Sequence, residues 1–409
     1  MSAPTRPAPA GTDASPPPDA GFAARLLPLC VAMFGGFLSV GLPLPALPLF
    51  VTGRLGFGTA VAGLAVGLQS LATVLTRFPA GRAVDARGAK AVLSRGLLVA
   101  AVAGLVQASA TAPVLPPVPA LLVLLAGRLV LGVGESLLIT GVLSWALDRA
   151  GPGRAGRAMS WNGMAQYGAL ALGAPAGFAA WHAGGFGLTA LLATATPLLA
   201  LAVVLPLPSA PVPAARTRIP PRRVLRHVLR PGLGLMAAGI GFAAVGAFGS
   251  LLFVRHGWPG AGLALSAYGG CFVLVRAVAG GWPDRFGGGR VAAGSMAVGT
   301  LGQLCLWLAA DPVVALLGAA LTGAGCSLVF PALGVEAFRP VPAESRGTAV
   351  GLFAAFQDIA IGLTGPVLGT LAAIGPAPAA PFAAGALAAF AGTLVALNLT
   401  PPDDTTSAR

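Results

Sequence analysis

Twelve runs of about 20 or more mostly apolar residues follow one another along this chain, and about 20 is what a helix needs to cross a bilayer's hydrocarbon. They fall at 25–50, 59–80, 91–112, 119–147, 158–180, 186–206, 232–254, 260–281, 291–310, 312–335, 347–374 and 380–399. The runs are long and do not alternate apolar with polar at every second residue, which favours helices over the strands of a barrel. Composition agrees. Only 9% of the 409 residues are charged and 56% are hydrophobic, whereas a soluble chain carries about 25% charged residues. The 59 Gly and 37 Pro would suggest disorder in a polar chain; packed membrane helices tolerate both. The sequence therefore predicts an all-α membrane protein with twelve transmembrane helices.

Residues 1–22 are polar and rich in Pro and Ala, and are expected to form a disordered cytoplasmic tail. They lack the compact basic region and short apolar core of a signal peptide, so they are expected to remain in the mature protein. Segment 207–231 is the one long polar linker, basic in character, and divides the chain into six spans (23–206) and six more (232–400), with a second tail at 401–409. If the spans alternate, Arg54 and Arg255 lie on one side, Arg128 lies within a span, and every other Arg and Lys lies on the opposite side. By the positive-inside rule both termini are expected in the cytoplasm. The net charge of +13 is thus assigned to topology and anionic lipid, with no nucleic acid implied. The linker stretch RRVLRHVLR suits either a short amphipathic helix on the inner leaflet or a solvated topology anchor. Cys30, Cys271, Cys305 and Cys326 all lie in apolar runs without CxxC spacing, and His182, His227 and His256 are scattered. No metal and no cofactor is expected.

An internal duplication is written in the loops. Arg77, Gly81, Asp85 and Gly88 recur as Arg276, Gly280, Asp284 and Gly287, each pair 199 positions apart and each set following the second span of its half. Two parallel six-helix bundles related by pseudo-symmetry, with a pathway between them, follow from this. The segment from Gly81 through Asp85 and Gly88 to Lys90 resembles the loop signature of the major facilitator superfamily, although Ala86 stands where the usual Arg follows the Asp, and Arg87 comes one place later. In the second half Arg285 does follow Asp284. AGRLVLGVGES, with Arg128 and Gly132, resembles a second superfamily signature. The run onward through SWNGMAQYGALALGAP is similar to the bacterial YhhS/YfcJ-type subgroup of arabinose-efflux-like permeases. The resemblance covers residues 23–400 and implies the major facilitator fold in a bacterial inner membrane.

Charged residues inside spans are costly, on the order of 2.5–3.5 kcal/mol at the bilayer centre, and only Arg128, Glu135 and Asp358 sit well inside one. Arg128 and Glu135 are seven apart, so on a helix they share a face within about 20° and stand about 10 Å apart along it. Gly132 leaves room between them. Glu135 is expected about 18 Å from its cytoplasmic end and Asp358 roughly 16 Å from its own, placing two carboxylates at similar depth in opposite halves. Burial favours the neutral form of Glu135 and Arg128 the ionised form, so a modest change in water access can flip its proton. A static lock of Arg128 on Glu135 or on backbone is the competing reading. Asp358, beside Gln357, suits either a coupling site or a helix-packing bond. Asn162 and Gln166, one turn apart and next to Tyr167, suit a polar cavity wall or bonds between packed helices.

Pro175 and Pro366 occupy matching places in spans 5 and 11 and resemble the superfamily's exporter pattern, with Ala174 in place of the expected Gly. Span 1 has no acidic residue, although many drug–proton exporters place one there. In the loops, Asp85 is expected to meet the start of span 11 near Arg346, and Asp284 the start of span 5 near Arg157. These contacts would latch the halves on the cytoplasmic side, with Gly81, Gly88, Gly280 and Gly287 forming the turns and Arg87, Lys90 and Arg285 beside them. No nucleotide-binding GxxxxGK[ST] loop is present. The reading is a non-enzymatic secondary transporter of a small solute, proton-coupled and exporting, acting as a monomer. A non-transporting membrane receptor or scaffold on the same fold and a proton-coupled importer are the alternatives.

Overall fold

The computed structural model describes residues 20–150, 155–208, 221–341, 346–374 and 380–399, and all regular structure among them is helical. Twelve long helices form two sets of six. The first set comprises α1 (Ala20–Gly41), α2 (Thr59–Arg87), α3 (Ala89–Ser109) and α4 (Pro117–Ala150). The helical stretch Ala155–Val204 then divides at Gly184 and Gly185, whose backbone is non-helical, into α5 (155–183) and α6 (186–204). The second set comprises α7 (Pro221–Arg255), α8 (Leu263–Ala279), α9 (Gly288–Trp307) and α10 (Pro312–Ser327, carried on after Leu328 by Val329–Phe338). It ends with α11 (Arg346–Ile374) and α12 (Ala380–Leu397). By length and apolarity alone, nine helical stretches among the described residues can cross a membrane. One of these is the Ala155–Val204 pair; α8 and α9 complete the twelve.

Three expectations need correcting. The first span does not run to residue 50: α1 ends at Gly41, and a turn, the short helix Leu47–Leu49 and a π-helical turn Phe50–Arg54 follow. Pro43, Pro45 and Pro48 remove the donors a continuous helix needs. The RRVLRHVLR stretch is no separate interfacial helix. It is the first part of α7, with Val224 and Val228 buried among residues of the second half while Arg222, Arg223 and Arg226 stay exposed. The turn between α2 and α3 is the single residue Gly88, and Gly81 lies inside α2. Tails 1–19 and 400–409 and linker residues 209–220 lie outside the described residues.

Gly88 and Gly287 carry the duplication into the backbone. Their φ/ψ angles are 80°/155° and 87°/140°, a left-side conformation that side chains disfavour, and each joins the second helix region of its half to the third. Both termini of the described bundle lie on one face, here called the tail face. On the opposite, far face the halves share one core, in which Leu44, Phe50, Tyr167 and Phe186 pack with Phe248, Tyr268, Phe272 and Phe382. Toward the tail face that core splits. One cluster holds only residues of the first half, such as Phe22, Leu93 and Trp145, and another only residues of the second, such as Val228, Met296 and Phe353. The halves are joined at the far face and have separate cores at the tail face.

Two helix pairs make the joint. Along α2 and α11 the backbones touch through glycines: a Cβ on Gly63 would strike the Gly365 carbonyl, and one on Gly67 the Gly362 carbonyl. Thr59 Oγ1 donates to the Gly369 carbonyl at 2.9 Å. Along α5 and α8, a Cβ on Gly269 would lie 2.7 Å from the Tyr167 carbonyl oxygen. Small residues let helices approach closely without water to drive them together.

Candidate functional site between the halves

Helix α2 carries three polar side chains one turn apart: Gln69, Thr73 and Arg77. Helix α4 lies flush against the first two, because a Cβ on Gly132 would collide with the Gln69 carbonyl. Three residues on, Glu135 turns its carboxylate to that stripe. Gln69 Nε2 donates to Glu135 Oε2 at 2.7 Å, and Thr73 Oγ1 lies 3.0 Å from the same oxygen. One turn further, Arg77 reaches out of the first half altogether. Its Nε donates to Oδ2 of Asp358 on α11 at 2.6 Å, and its Nη2 pairs with the same oxygen. Both side chains of this pair are largely sheltered, at 19% and 14% exposure.

Next to Asp358, Gln357 Nε2 donates to the hydroxyl of Tyr167 on α5 at 3.2 Å, a further bond between halves. Tyr167 stacks on Phe272 of α8, with ring centroids 3.6 Å apart. The Arg276 guanidinium lies over the other end of this wall, 5.2 Å from the Phe272 centroid. A continuous chain of side-chain contacts thus runs from α4 through α2, α11 and α5 to α8.

The expected residues are only partly gathered. Glu135, Asp358, Gln357 and Tyr167 all belong to this chain. Arg128 does not: it is 1% exposed and donates from Nε and Nη2 to the Ala65 and Val66 carbonyls of α2, at 2.8 and 3.2 Å. It faces the same helix as Glu135, as their spacing implies, but as a backbone lock without a direct ion pair. Asn162 is buried with its Oδ1 unbonded, and Gln166 is half-buried. Sequence reasoning missed Gln69 and Thr73, whose signal was the four-residue spacing with Arg77 in an apolar helix. It also assigned Arg77 and Arg276 to loops.

The side chains of Asp85 and Arg346 lie outside those described. Asp284 is exposed on the short helix Trp282–Phe286 and makes no ion pair among the described residues, while Arg157 lies over the Phe22 ring at 4.9 Å. Lys90 Nζ donates to the Leu205 carbonyl at 2.8 Å and to that of Leu207. Arg87 and Arg285 are exposed. The contact expected between Asp284 and Arg157 is not formed in this conformation.

Twelve helices in two related sets, joined across a sheltered polar seam, define a membrane carrier. The sequence pattern of the Major Facilitator Superfamily matches residues 29–261 and 256–409, and the chain belongs to that superfamily. It is 44% identical over 346 residues to an uncharacterized MFS-type transporter of Salmonella typhimurium (strain LT2), covering 85% of this chain and 89% of that one. An uncharacterized MFS-type transporter of Burkholderia pseudomallei (strain 1106a) is 41% identical over 390 residues, 95% of each chain. Two solved structures, each of a point mutant, share the fold. The nucleoside transporter NupG superposes with a TM-score of 0.72 at 17% identity, covering 92% of this chain and 99% of that one. The E. coli fucose:proton symporter FucP does so at 0.65 and 14% identity, covering 93% and 100%. The chain is accordingly a multi-pass membrane protein of a secondary-transporter family.

Proposed function

We propose that this protein is a proton-coupled carrier of a small solute, working by alternating access and exporting its substrate across a bacterial inner membrane. The observation that carries the reading is the Arg77–Asp358 ion pair between halves, with Glu135 of α4 held by Thr73, one turn before Arg77 on α2. A proton on Asp358 cancels the charge that holds Arg77, and so weakens a tie between α2 and α11. A proton on Glu135 removes the ionised acceptor of Gln69 and Thr73 on that same helix. Proton binding and the fit of the two halves are thereby one equilibrium, which is what coupling requires.

With the tail face in the cytoplasm, a joined far face and separate tail-face cores correspond to a carrier open to the cytoplasm. Turning outward would open the glycine seam and bring the tail-face ends together. In that other conformation Asp85 would approach Arg346, and Asp284 would approach Arg157, as latches. Similarity of the Arg128–Pro175 region to the YhhS/YfcJ-type permeases, together with Pro175 and Pro366, supports export.

The test is flux in proteoliposomes. Wild type is expected to drive substrate out of right-side-out vesicles when the outer buffer is made acidic. Glu135→Gln is expected to exchange substrate without responding to the gradient. Binding without any flux would indicate a receptor, and accumulation in the direction of proton entry an importer.

A further inference from the structure

The two halves are duplicates, and the duplicate of the proton site has kept its cation while losing both carboxylates. The 199-residue offset that relates α2 to α8 carries Gln69, Thr73 and Arg77 onto Tyr268, Phe272 and Arg276. Close packing fixes the register of the neighbouring helix: Gly132 abuts the Gln69 carbonyl and Gly323 abuts the Tyr268 carbonyl. Three residues beyond each glycine stand Glu135 in one half and Cys326 in the other. Across the seam, Asp358 lies eight residues before Pro366 and Tyr167 eight before Pro175. Arg77 meets Asp358; in the equivalent place, Arg276 meets the Tyr167–Phe272 wall.

The consequence is an uncompensated cation between the halves. Arg276 makes no hydrogen bond or ion pair among the described residues, and its Nε is buried without a partner. Its guanidinium rests against the Phe272 ring, which Tyr167, Tyr268 and Phe242 continue as an aromatic wall. A guanidinium's fixed fork of donors matches a carboxylate in a bidentate manner. Resting on the carrier reading above, we propose that this second site binds the substrate, and that the substrate is a small organic acid. Its carboxylate takes at Arg276 the place that Asp358 takes at Arg77. Proton handling and substrate binding are divided between the duplicated sites.

The experiment uses the purified full-length protein and needs no gradient. Each of benzoate, phenylacetate, butyrate and lactate is titrated beside its own amide, and binding is read by calorimetry and by thermal stabilisation. At least one acid is expected to bind, with its amide at least tenfold weaker. Arg276→Gln is expected to abolish the preference and Arg276→Lys to keep part of it. Tyr167→Asp, which restores the missing carboxylate, is expected to abolish acid binding in protein that still elutes as a folded species; if it does not fold, Arg276→Gln decides. The proposal is overturned if no acid of the panel binds, if amides bind as well as acids, or if Arg276→Gln binds like wild type. Its failure is separable from that of the carrier reading. Acid binding with flux that ignores the pH gradient would sink proton coupling alone, whereas gradient-driven flux of a neutral solute without acid binding would sink the anion site alone.

Discussion

Arg77 on α2 and Asp358 on α11 form an ion pair that crosses from one half of the molecule to the other, with Nε 2.6 Å from Oδ2. A tie of this kind does not stabilise a single bundle; it stabilises one arrangement of two. Its energetics follow from shelter. Removing one partner leaves a charge with poor access to water, which costs about 3–5 kcal/mol for a fully buried pair and less at the exposure found here.

Each single variant, Arg77→Gln and Asp358→Asn, is therefore expected to lower thermal stability in detergent. The double variant is expected to recover part of the loss, with a coupling energy of about 0.5–3 kcal/mol in a double-mutant cycle. Strict additivity of the two losses would mean that the pair contributes nothing.

The α2–α11 glycine seam predicts a conformational trap. Gly63→Leu or Gly365→Leu places side-chain atoms where the partner backbone lies, so the far-face joint cannot close. A penalty of about 1.4 kcal/mol already shifts the two-state ratio tenfold. Cysteines placed at Gly58 and Leu308, both exposed at the far face, are expected to drift apart in cross-linking assays. Unchanged cross-linking would count against the seam.

Arg128 is expected to matter for stability more than for coupling. Its two charge-assisted bonds to the α2 backbone contribute about 1.5–3 kcal/mol each. Arg128→Ala should thus unfold readily, whereas Arg128→Lys should retain most of the fold and the same response to pH gradient as wild type. A lysine variant that is stable yet uncoupled would return Arg128 to the transport machinery.

Asp85→Asn, and likewise Asp284→Asn, is expected to weaken the conformation in which the tail-face ends meet. Labelling of cysteines at that face should rise in either variant. Unaltered labelling would remove the latch.

Much of the fold was legible because a bilayer imposes a length on every helix and leaves the count readable in apolar runs. Gly88 and Gly287 could be paired from sequence because a one-residue reversal needs the same backbone twice. The ruler failed where helices outrun the membrane: α7 begins at Pro221 and α2 continues to Arg87, so the arginines at the start of α7 were assigned to the linker, and Arg77, near the end of its span, was grouped with the loop that follows. Glu135 and Asp358 stood out as charges in apolar runs. Their partners Gln69, Thr73 and Arg77 belong to another helix, and helix-to-helix register is set by packing such as that of Gly132. The backbone hold on Arg128 was invisible for a similar reason, since every residue supplies a carbonyl and no letter marks the one that is used.

If protonating this seam shifts which face of the carrier is open, both faces must respond to pH together. Spin labels at Ala86 and Leu225, exposed at the tail face on opposite halves, with a second pair at Gly58 and Leu308, read both faces by pulsed electron resonance in a cysteine-free background. Moving from alkaline to acidic buffer, or introducing Asp358→Asn, is expected to shorten the tail-face distance and lengthen the far-face distance together. Distances that stay fixed at both faces under acidification, and in the Asp358→Asn variant, would contradict coupling through this seam.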